Sequence, residues 1–473
     1  MGRELQEFVP LEKQSHIDKV TGEKVTEVKM YHCGPTVYWN QHIGNMRAVV
    51  WADIVKRTIE YNKDANGNNY KVTLVRNYTD VGHLTGDNVG DADTGEDRMD
   101  KAARRDGKTP DEIANFYIAN FEHDIQLLNA DSAKYKPRAT KDEYIKEIKS
   151  IVQNLLTKDI AYITGQGIYF DISKYPEYTK LSGQKLDLQN VGSGHGDVSD
   201  NEKRNSADFA LWIFAVGTHA DALQTWDNTF NKKDGTILNK ELRENPSKGF
   251  PGWHIECSAM SKALLDKDNA NVDYTLDIHM GGIEHIPVHH TNEIAQSECA
   301  NDKKYVKYWI HNEHLLVDGK KMSKSEGTSY LLGEVINYLR ENCPNDTTFY
   351  QKIEDDKFYS NVLRYFFLQA HYRSKQNFTW EALLASYTAY VKLLKEVEKL
   401  NSTLTLTSLP ASPQKGKEEM QNYQNKFLKA INKDFNIPMA LGIMWSMIKD
   451  KEVGTEDKVK LIEDFNKVFG LTL

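Results

Sequence analysis

Four residues early in the chain, His42-Ile43-Gly44-Asn45, stand between a run that reads as a strand and one that reads as a long helix. Backbone N–H groups and the helix dipole at such a junction suit an anion, and a phosphate is the expected guest. The imidazole and the carboxamide lie about one helical turn apart, so both can donate hydrogen bonds to phosphate oxygens, and Gly44 lets a nucleotide approach the backbone. Far along the chain, Lys321-Met322-Ser323-Lys324-Ser325 sets two ammonium groups in one short polar stretch. Flexible ammonium groups can follow and neutralise charge that develops on a departing phosphoryl group.

A second chemistry resides in the thiols. The chain has four cysteines, Cys33, Cys257, Cys299 and Cys343, and no local CxxC. That pattern fits a reducing compartment and argues against a disulfide framework, so any cysteine function must be assembled by the fold. Cys33 and Cys257 would suit Zn²⁺, and His289 and Glu293, four apart, share one face of a helix. Chemistry alone leaves the donor set open, because His254, His279, His285 and His290 compete and Cys299 fits equally well as a small buried hydrophobe.

The elements that must hold these groups follow from periodicity. Residues 25–33 read as a strand, a Gly-Pro turn follows, and 45–61 carries Met46, Val50 and Ile54 at helical spacing. A second strand at 71–77 makes this the opening of an α/β unit with a parallel sheet. Residues 85–100, rich in Gly and Asp, read as an exposed loop without chemistry. A capping box, Thr140 with Glu143, is predicted to start a helix that buries Ile145, Ile148, Ile151, Val152, Leu155 and Leu156. A strand at 167–172 and a polar return at 184–206 mark an inserted subdomain. From 361 to 473 the pattern is helical, with heptad-like Tyr390, Leu393, Leu394 and Val397 and a Ser/Thr/Pro-rich break at 402–413.

At 473 residues the chain exceeds what one core usually serves. Its 40% hydrophobic and 27% charged composition sets aside disordered, collagenous and coiled-coil classes. The first twenty residues lack a secretory apolar region and the apolar run at 209–216 is too short to span a bilayer, so a cytoplasmic protein with no membrane partner is expected. Sixty basic against 68 acidic side chains give a net charge of −8, so a nucleic-acid partner would need a local basic surface.

HIGN followed much later by KMSKS resembles the paired signatures of class I aminoacyl-tRNA synthetases. Further segments are similar to the cysteinyl-tRNA synthetase family: YHCGPTVY at 31–38, VRNYTDV at 75–81, KRNSADFALW at 203–212 and PGWHIECSAM at 251–260. DIHMGGIEH at 277–285, HHTNEIAQSE at 289–298 and HYRS at 371–374 extend the match over nearly the whole chain. The resemblance implies an α/β fold: a Rossmann-like parallel-sheet catalytic domain in two halves (1–130 and 203–315) around an inserted connective subdomain (131–202). A KMSKS-bearing linking segment (316–378) and an α-helical bundle for tRNA (379–473) follow.

By resemblance, Cys33, Cys257, His289 and Glu293 are the ligands of one Zn²⁺ that recognises the substrate thiolate. His42, Asn45, Lys321 and Lys324 are implied as the catalytic groups. Gly281 and Gly282, with His279, form a turn beside ATP, and Thr36, Trp253, His254 and Glu284 belong to the substrate pocket. The chain departs from the family pattern with Asn45 for a His, Met280 for a Gly and Glu284 for an Asp. The implied activity is cysteine–tRNA ligation from L-cysteine, ATP with Mg²⁺ and tRNA(Cys), by a monomer. Many bacterial members continue into a small anticodon-reading domain, so anticodon recognition is expected to be reduced or carried by 434–441. Two rivals are a homologous ligase joining cysteine to an aminosugar and a non-catalytic, zinc-containing RNA-binding paralogue.

Overall fold

The computed structural model describes residues 5–12, 15–84, 95–183, 202–231, 247–266, 273–322, 327–343, 355–406 and 415–473. The chain opens with β1 (His16–Ile17) and β2 (Lys24–His32), passes through α1 (Ile43–Tyr61) and returns as β3 (Asn69–Arg76). β2 and β3 pair in parallel from Val25↔Asn69 to His32↔Arg76. A parallel pair needs a crossover, and α1 provides it. Val28, Met30, Val72 and Leu74 from the strands meet Met46, Val50 and Ile54 of the helix in one core, as the spacing predicts.

α2 (Arg98–Asp106), α3 (Pro110–Leu127) and α4 (Asp142–Thr157) follow. Residues 85–94 of the expected loop lie outside the described residues. Its remainder is not exposed: Asp97 caps α2 by accepting from the Met99 N–H, and Asp97, Met99 and Asp100 are buried. The predicted capping box at α4 does not form either. Lys141 is the N-cap, with no side-chain bond, and the Thr140 hydroxyl donates instead to Asp80 at 2.7 Å. The apolar face of α4 is buried as expected, from Ile145 to Leu156.

β4 (Ala161–Ile163), β5 (Gly167–Phe170), β6 (Phe209–Phe214), β7 (Trp226–Asp227) and β8 (Lys248–Pro251) form a second, antiparallel sheet in the order β4-β5-β6-β8-β7. The sheet crosses the boundary expected at residue 202, since β6 and β8 belong to it. The chain then rejoins the first sheet through α5 (Trp253–Leu265), β9 (Tyr274–Gly282), α6 (His289–Asn301) and β10 (Lys304–Asn312). β9 pairs in parallel with both β2 and β10, so four parallel strands stand in the order β3-β2-β9-β10.

β11 (Leu315–Val317), β12 (Lys320–Lys321), α7 (Leu332–Asn342), α8 (Asp355–Leu368) and β13 (Gln376–Phe378) lead into the helices α9 (Trp380–Leu406), α10 (Lys415–Ile431), α11 (Ile437–Lys449) and α12 (Thr455–Phe469). α9 continues through the first part of the expected break, and 407–414 lies outside the described residues. Tyr390, Leu393 and Leu394 are buried in the same core as α1, and Val397 packs on it half-buried. A fully buried ion pair fastens the C-terminal helices to the first helix: Arg364 on α8 donates to Asp53 on α1 at 2.6 Å and to the Phe469 carbonyl of α12 at 2.8 Å.

Candidate active site

The register of the parallel sheet sets the first part of the site. Pairing of Tyr31 with His279 and His32 with Met280 brings the end of β2 beside the end of β9. The Cys33 N–H then donates to the Met280 carbonyl at 3.0 Å, which fixes the thiol over the strand ends. Cys257 arrives from the second turn of α5 and His289 and Glu293 from the first two turns of α6. One ligand atom from each of Cys33, Cys257, His289 and Glu293 lies within 4.8 Å of every other, and all four residues are buried. His279 and His290, with Cys33 and Glu293, satisfy the same condition.

Two thiols, an imidazole and a carboxylate on one buried point fit a divalent metal of borderline softness, so the cluster is compatible with a metal site. Its orientation is fixed from behind. The Tyr305 hydroxyl donates to Glu293 Oε2 at 3.0 Å, turning Oε1 toward His289 Nε2 at 3.0 Å and Cys33 Sγ at 3.8 Å. His289 Nδ1 meets His254 Nδ1 at 2.9 Å, which leaves Nε2 as the nitrogen that faces the cluster. Burial raises the Cys33 thiol well above its ordinary range and raises the Glu293 carboxyl. It lowers His290 well below its ordinary value and His279 to about 4, so these rings are neutral at pH 7. A cation is the charge that would reverse the thiol shift.

The nucleotide signatures meet at the start of α1. His42 is the N-cap, and its Nδ1 accepts the Asn45 N–H at 3.3 Å. A ring that accepts at Nδ1 carries its proton on Nε2, where it can donate. The Ile43 N–H donates to the Tyr330 carbonyl at 2.8 Å, which ties this turn to the stretch after KMSKS. A Cβ on Gly44 would stand 2.9 Å from the His42 ring and 3.2 Å from Met322 Sδ, so only glycine lets the two signatures touch. Lys321 ends β12, exposed to solvent. Lys324 lies outside the described residues.

A cavity of about 260 Å³ joins both parts. Its lining includes Cys33, Cys257 and His289 at one end and His42 and Asn45 at the other, with Thr36, Trp253, Gly282 and Glu284 between. Glu284 is exposed and reaches toward His314 at 3.6 Å. A Cβ on Gly282 would displace the flexible Glu284 carboxylate, and Gly281 is closed off by His285 and His290. Met280 points into the core, away from the cavity. His254 does not line the cavity; it stands behind His289.

Sequence reasoning missed two residues here. His83 stacks on Trp253, with ring centroids 4.1 Å apart and planes 5° apart, and its Nδ1 lies 2.6 Å from the Thr36 hydroxyl. Tyr305 orients Glu293. Neither sits in a segment quoted for the resemblance, and the only signal for His83 was its position two residues after VRNYTDV.

The family description tRNA synthetases class I (C) catalytic domain matches residues 19–388. The cysteine–tRNA ligase of Treponema denticola is 33% identical, covering all of this chain and 85% of that protein. Those of Chlorobaculum tepidum and Streptococcus pneumoniae are 34% and 32% identical, covering 89% and 100% of this chain and 74% and 86% of theirs. Among solved structures, Mycobacterium tuberculosis methionyl-tRNA synthetase bound by methionyl-adenylate shares the fold at a TM-score of 0.59 and 12% identity, over 94% of this chain and 89% of its own. Agrobacterium radiobacter K84 agnB2 LeuRS, in a ternary complex with tRNA and LeuAMS, does so at 0.61 and 11%, over 96% and 85%. Likeness at this identity speaks for the fold, and kinship rests on the sequence matches: the chain belongs to the cysteine–tRNA ligase family of class I tRNA synthetases.

Proposed function

We propose that the chain joins L-cysteine to tRNA(Cys) in two steps within this one cavity. A carboxylate oxygen of cysteine attacks the α-phosphorus of ATP, forming cysteinyl-adenylate and releasing pyrophosphate. A ribose hydroxyl at the tRNA 3′ end then attacks the adenylate carbonyl, and AMP leaves. The observation that carries this reading is the common cavity, which spans the distance between the thiol-rich cluster and the HIGN turn.

No protein nucleophile is required, so catalysis is orientation and electrostatics. His42 Nε2 and the Asn45 amide hold the triphosphate from one side, and Lys321 and Lys324 neutralise charge on the pyrophosphate from the other. Mg²⁺ enters with ATP. Thr36 and Trp253 bound the amino-acid pocket, His254 fixes His289 from behind, Glu284 meets the substrate, and Gly282 on the cavity wall lets the adenosine approach the backbone, whereas His285 and His290 close Gly281 off from it. Zn²⁺, held by Cys33, Cys257, His289 and Glu293, would supply a soft Lewis-acid contact that prefers a thiolate to a serine hydroxyl.

The helical bundle offers Lys392, Lys395, Lys399, Lys426, Lys429 and Lys433 to tRNA phosphates. The chain acts as a monomer in the cytoplasm; among the described residues no helix is long and apolar enough to cross a membrane. An aminosugar ligase would need no such bundle, and a non-catalytic paralogue no intact ATP signatures. The test is transfer of labelled cysteine to a tRNA(Cys) transcript with serine in competition. Charging with cysteine alone supports the reading; cysteine-dependent pyrophosphate exchange without charging of any transcript sinks the second step.

A further inference from the structure

On the α2–α3 side of the cavity mouth, aromatic rings and cations interleave. Trp39, which lines the cavity, is 37% exposed, and Phe116 on α3 is 51% exposed. Tyr117 bridges them, its ring centroid 6.0 Å from Trp39 and 5.1 Å from Phe116. The Arg105 guanidinium lies 4.4 Å over the Trp39 ring and the Lys108 ammonium 5.3 Å over Phe116. Asp106 holds Arg105 with two bonds, at 2.6 and 2.8 Å, so the guanidinium is fixed in place.

The cations are ordered. Arg98, Lys101 and Arg105 recur at spacings of three and four, which lines them along one side of α2, and Lys108 follows directly after the left-handed C-cap Gly107. Arg104 is turned elsewhere, to Glu96 and Asp221. Arg105 and Lys108 lie beside large aromatic side chains that stay partly exposed, where a core residue would not be. Ring faces backed by fixed cations are the chemistry that takes unpaired bases and their phosphates. A protein partner would not require that pairing of ring and charge.

We propose that this cluster receives the single-stranded 3′ end of the tRNA. Its bases stack on Trp39 and Phe116, its phosphates meet Arg105 and Lys108, and the terminal ribose is led into the cavity. The inference rests on the tRNA-charging reading above.

The test pairs two measurements: single-turnover transfer of cysteine from preformed adenylate to a tRNA(Cys) transcript, and cysteine-dependent ATP–pyrophosphate exchange. The double variant Arg105→Ala/Phe116→Ala is expected to slow transfer at limiting transcript by about tenfold or more, while exchange stays within about twofold of the unaltered chain. Arg104→Ala should transfer like the unaltered chain. Arg105→Lys/Phe116→Tyr, which keeps charge and ring, should recover most of the transfer rate. Normal transfer in the alanine pair overturns the inference, as does an equal loss in exchange or a conservative pair as slow as the alanine pair. Failure of the unaltered chain to charge any transcript would overturn the proposed function, and this inference with it.

Discussion

The sulfurs of Cys33 and Cys257 lie 4.0 Å apart, although 224 residues separate them in the chain. That distance is far too long for a disulfide. Two thiolates on one tetrahedral Zn²⁺, each about 2.3 Å from the ion, would stand about 3.8 Å apart. The fold therefore holds the pair at ligand spacing, with Glu293 Oε1 at 3.8 Å from Cys33 to complete the cluster.

The purified chain is accordingly expected to carry about one zinc, and Cys257→Ser to lose most of it, because a hydroxyl is a poor ligand for this ion. ATP binding should change little. Metal content by mass spectrometry decides the matter, and an undiminished stoichiometry in the variant would refute the ligand set.

Gly44→Ala separates stability from activity. The residue is in the first turn of α1 with nothing in its backbone that demands glycine, so alanine should add roughly 0.5–1 kcal/mol of helix stability. Its Cβ would press on the His42 ring at 2.9 Å and Met322 Sδ at 3.2 Å, pushing the two signatures apart. Adenylate formation should fall by about tenfold or more, as a misplacement near 1 Å can cost far more than that, with an unfolding midpoint unchanged or raised. Normal exchange kinetics would show that the contact is not needed.

The buried pair of Asp53 and Arg364 makes a stability prediction. Removing one partner leaves the other charge uncompensated in the core, so Asp53→Ala is expected to cost about 3–5 kcal/mol. Asp53→Ala combined with Arg364→Met should recover part of that loss. Denaturant unfolding of the three variants checks the order; a double variant weaker than the single by the full second increment would mean that the two charges are not coupled.

Local pattern made the strand, helix and strand of the opening and the apolar face of α4 legible, because each is a short-range repeat. The four-donor cluster was legible only through the resemblance, since chemistry left His254, His279, His285, His290 and Cys299 as alternatives and the selection is made by strand register and by Tyr305. Thr140 shows the converse. Its local context favours a cap, but Asp80, sixty positions away, accepts the hydroxyl instead. The resemblance places His254 in the pocket together with Trp253. Successive helical residues point about 100° apart, and that turn puts Trp253 on the cavity and His254 behind His289.

Asp97 predicts a pH dependence. Burial, with Asp100 close by, raises its carboxyl from the ordinary 3.8 to about 7, and buried Glu256 adds a further acid nearby. The folded chain thus binds this proton more tightly than the unfolded chain. The stability it contributes is full below about pH 4 and is lost as pH rises through about 7. Asp97→Asn keeps a side-chain acceptor for the Met99 N–H and removes the titration. It should gain on the order of 1–3 kcal/mol over the unaltered chain at pH 8 and little at pH 5. Parallel stability curves across that range would count against the assignment.

Trp253 occupies a position that joins the Cys/His/Glu cluster, the cavity and His83 in one stack. Its indole lies between the rings of His83 at 4.1 Å and His289 at 4.2 Å. One face of the tryptophan therefore keeps the His289 ring in its plane, and the other holds His83, whose Nδ1 meets Thr36 on the cavity wall. Trp253→Ala frees both rings at once. The half-saturating cysteine concentration should rise by about tenfold or more, with a smaller change for ATP, since the HIGN turn is untouched. Zinc should also leave faster to a chelator, because His289 then loses the ring that stacks on it and keeps its plane. Trp253→Phe keeps a ring in the stack and should restore zinc retention ahead of cysteine affinity. Equal losses for cysteine and ATP, with zinc retention unchanged, would mean that Trp253 only fills space.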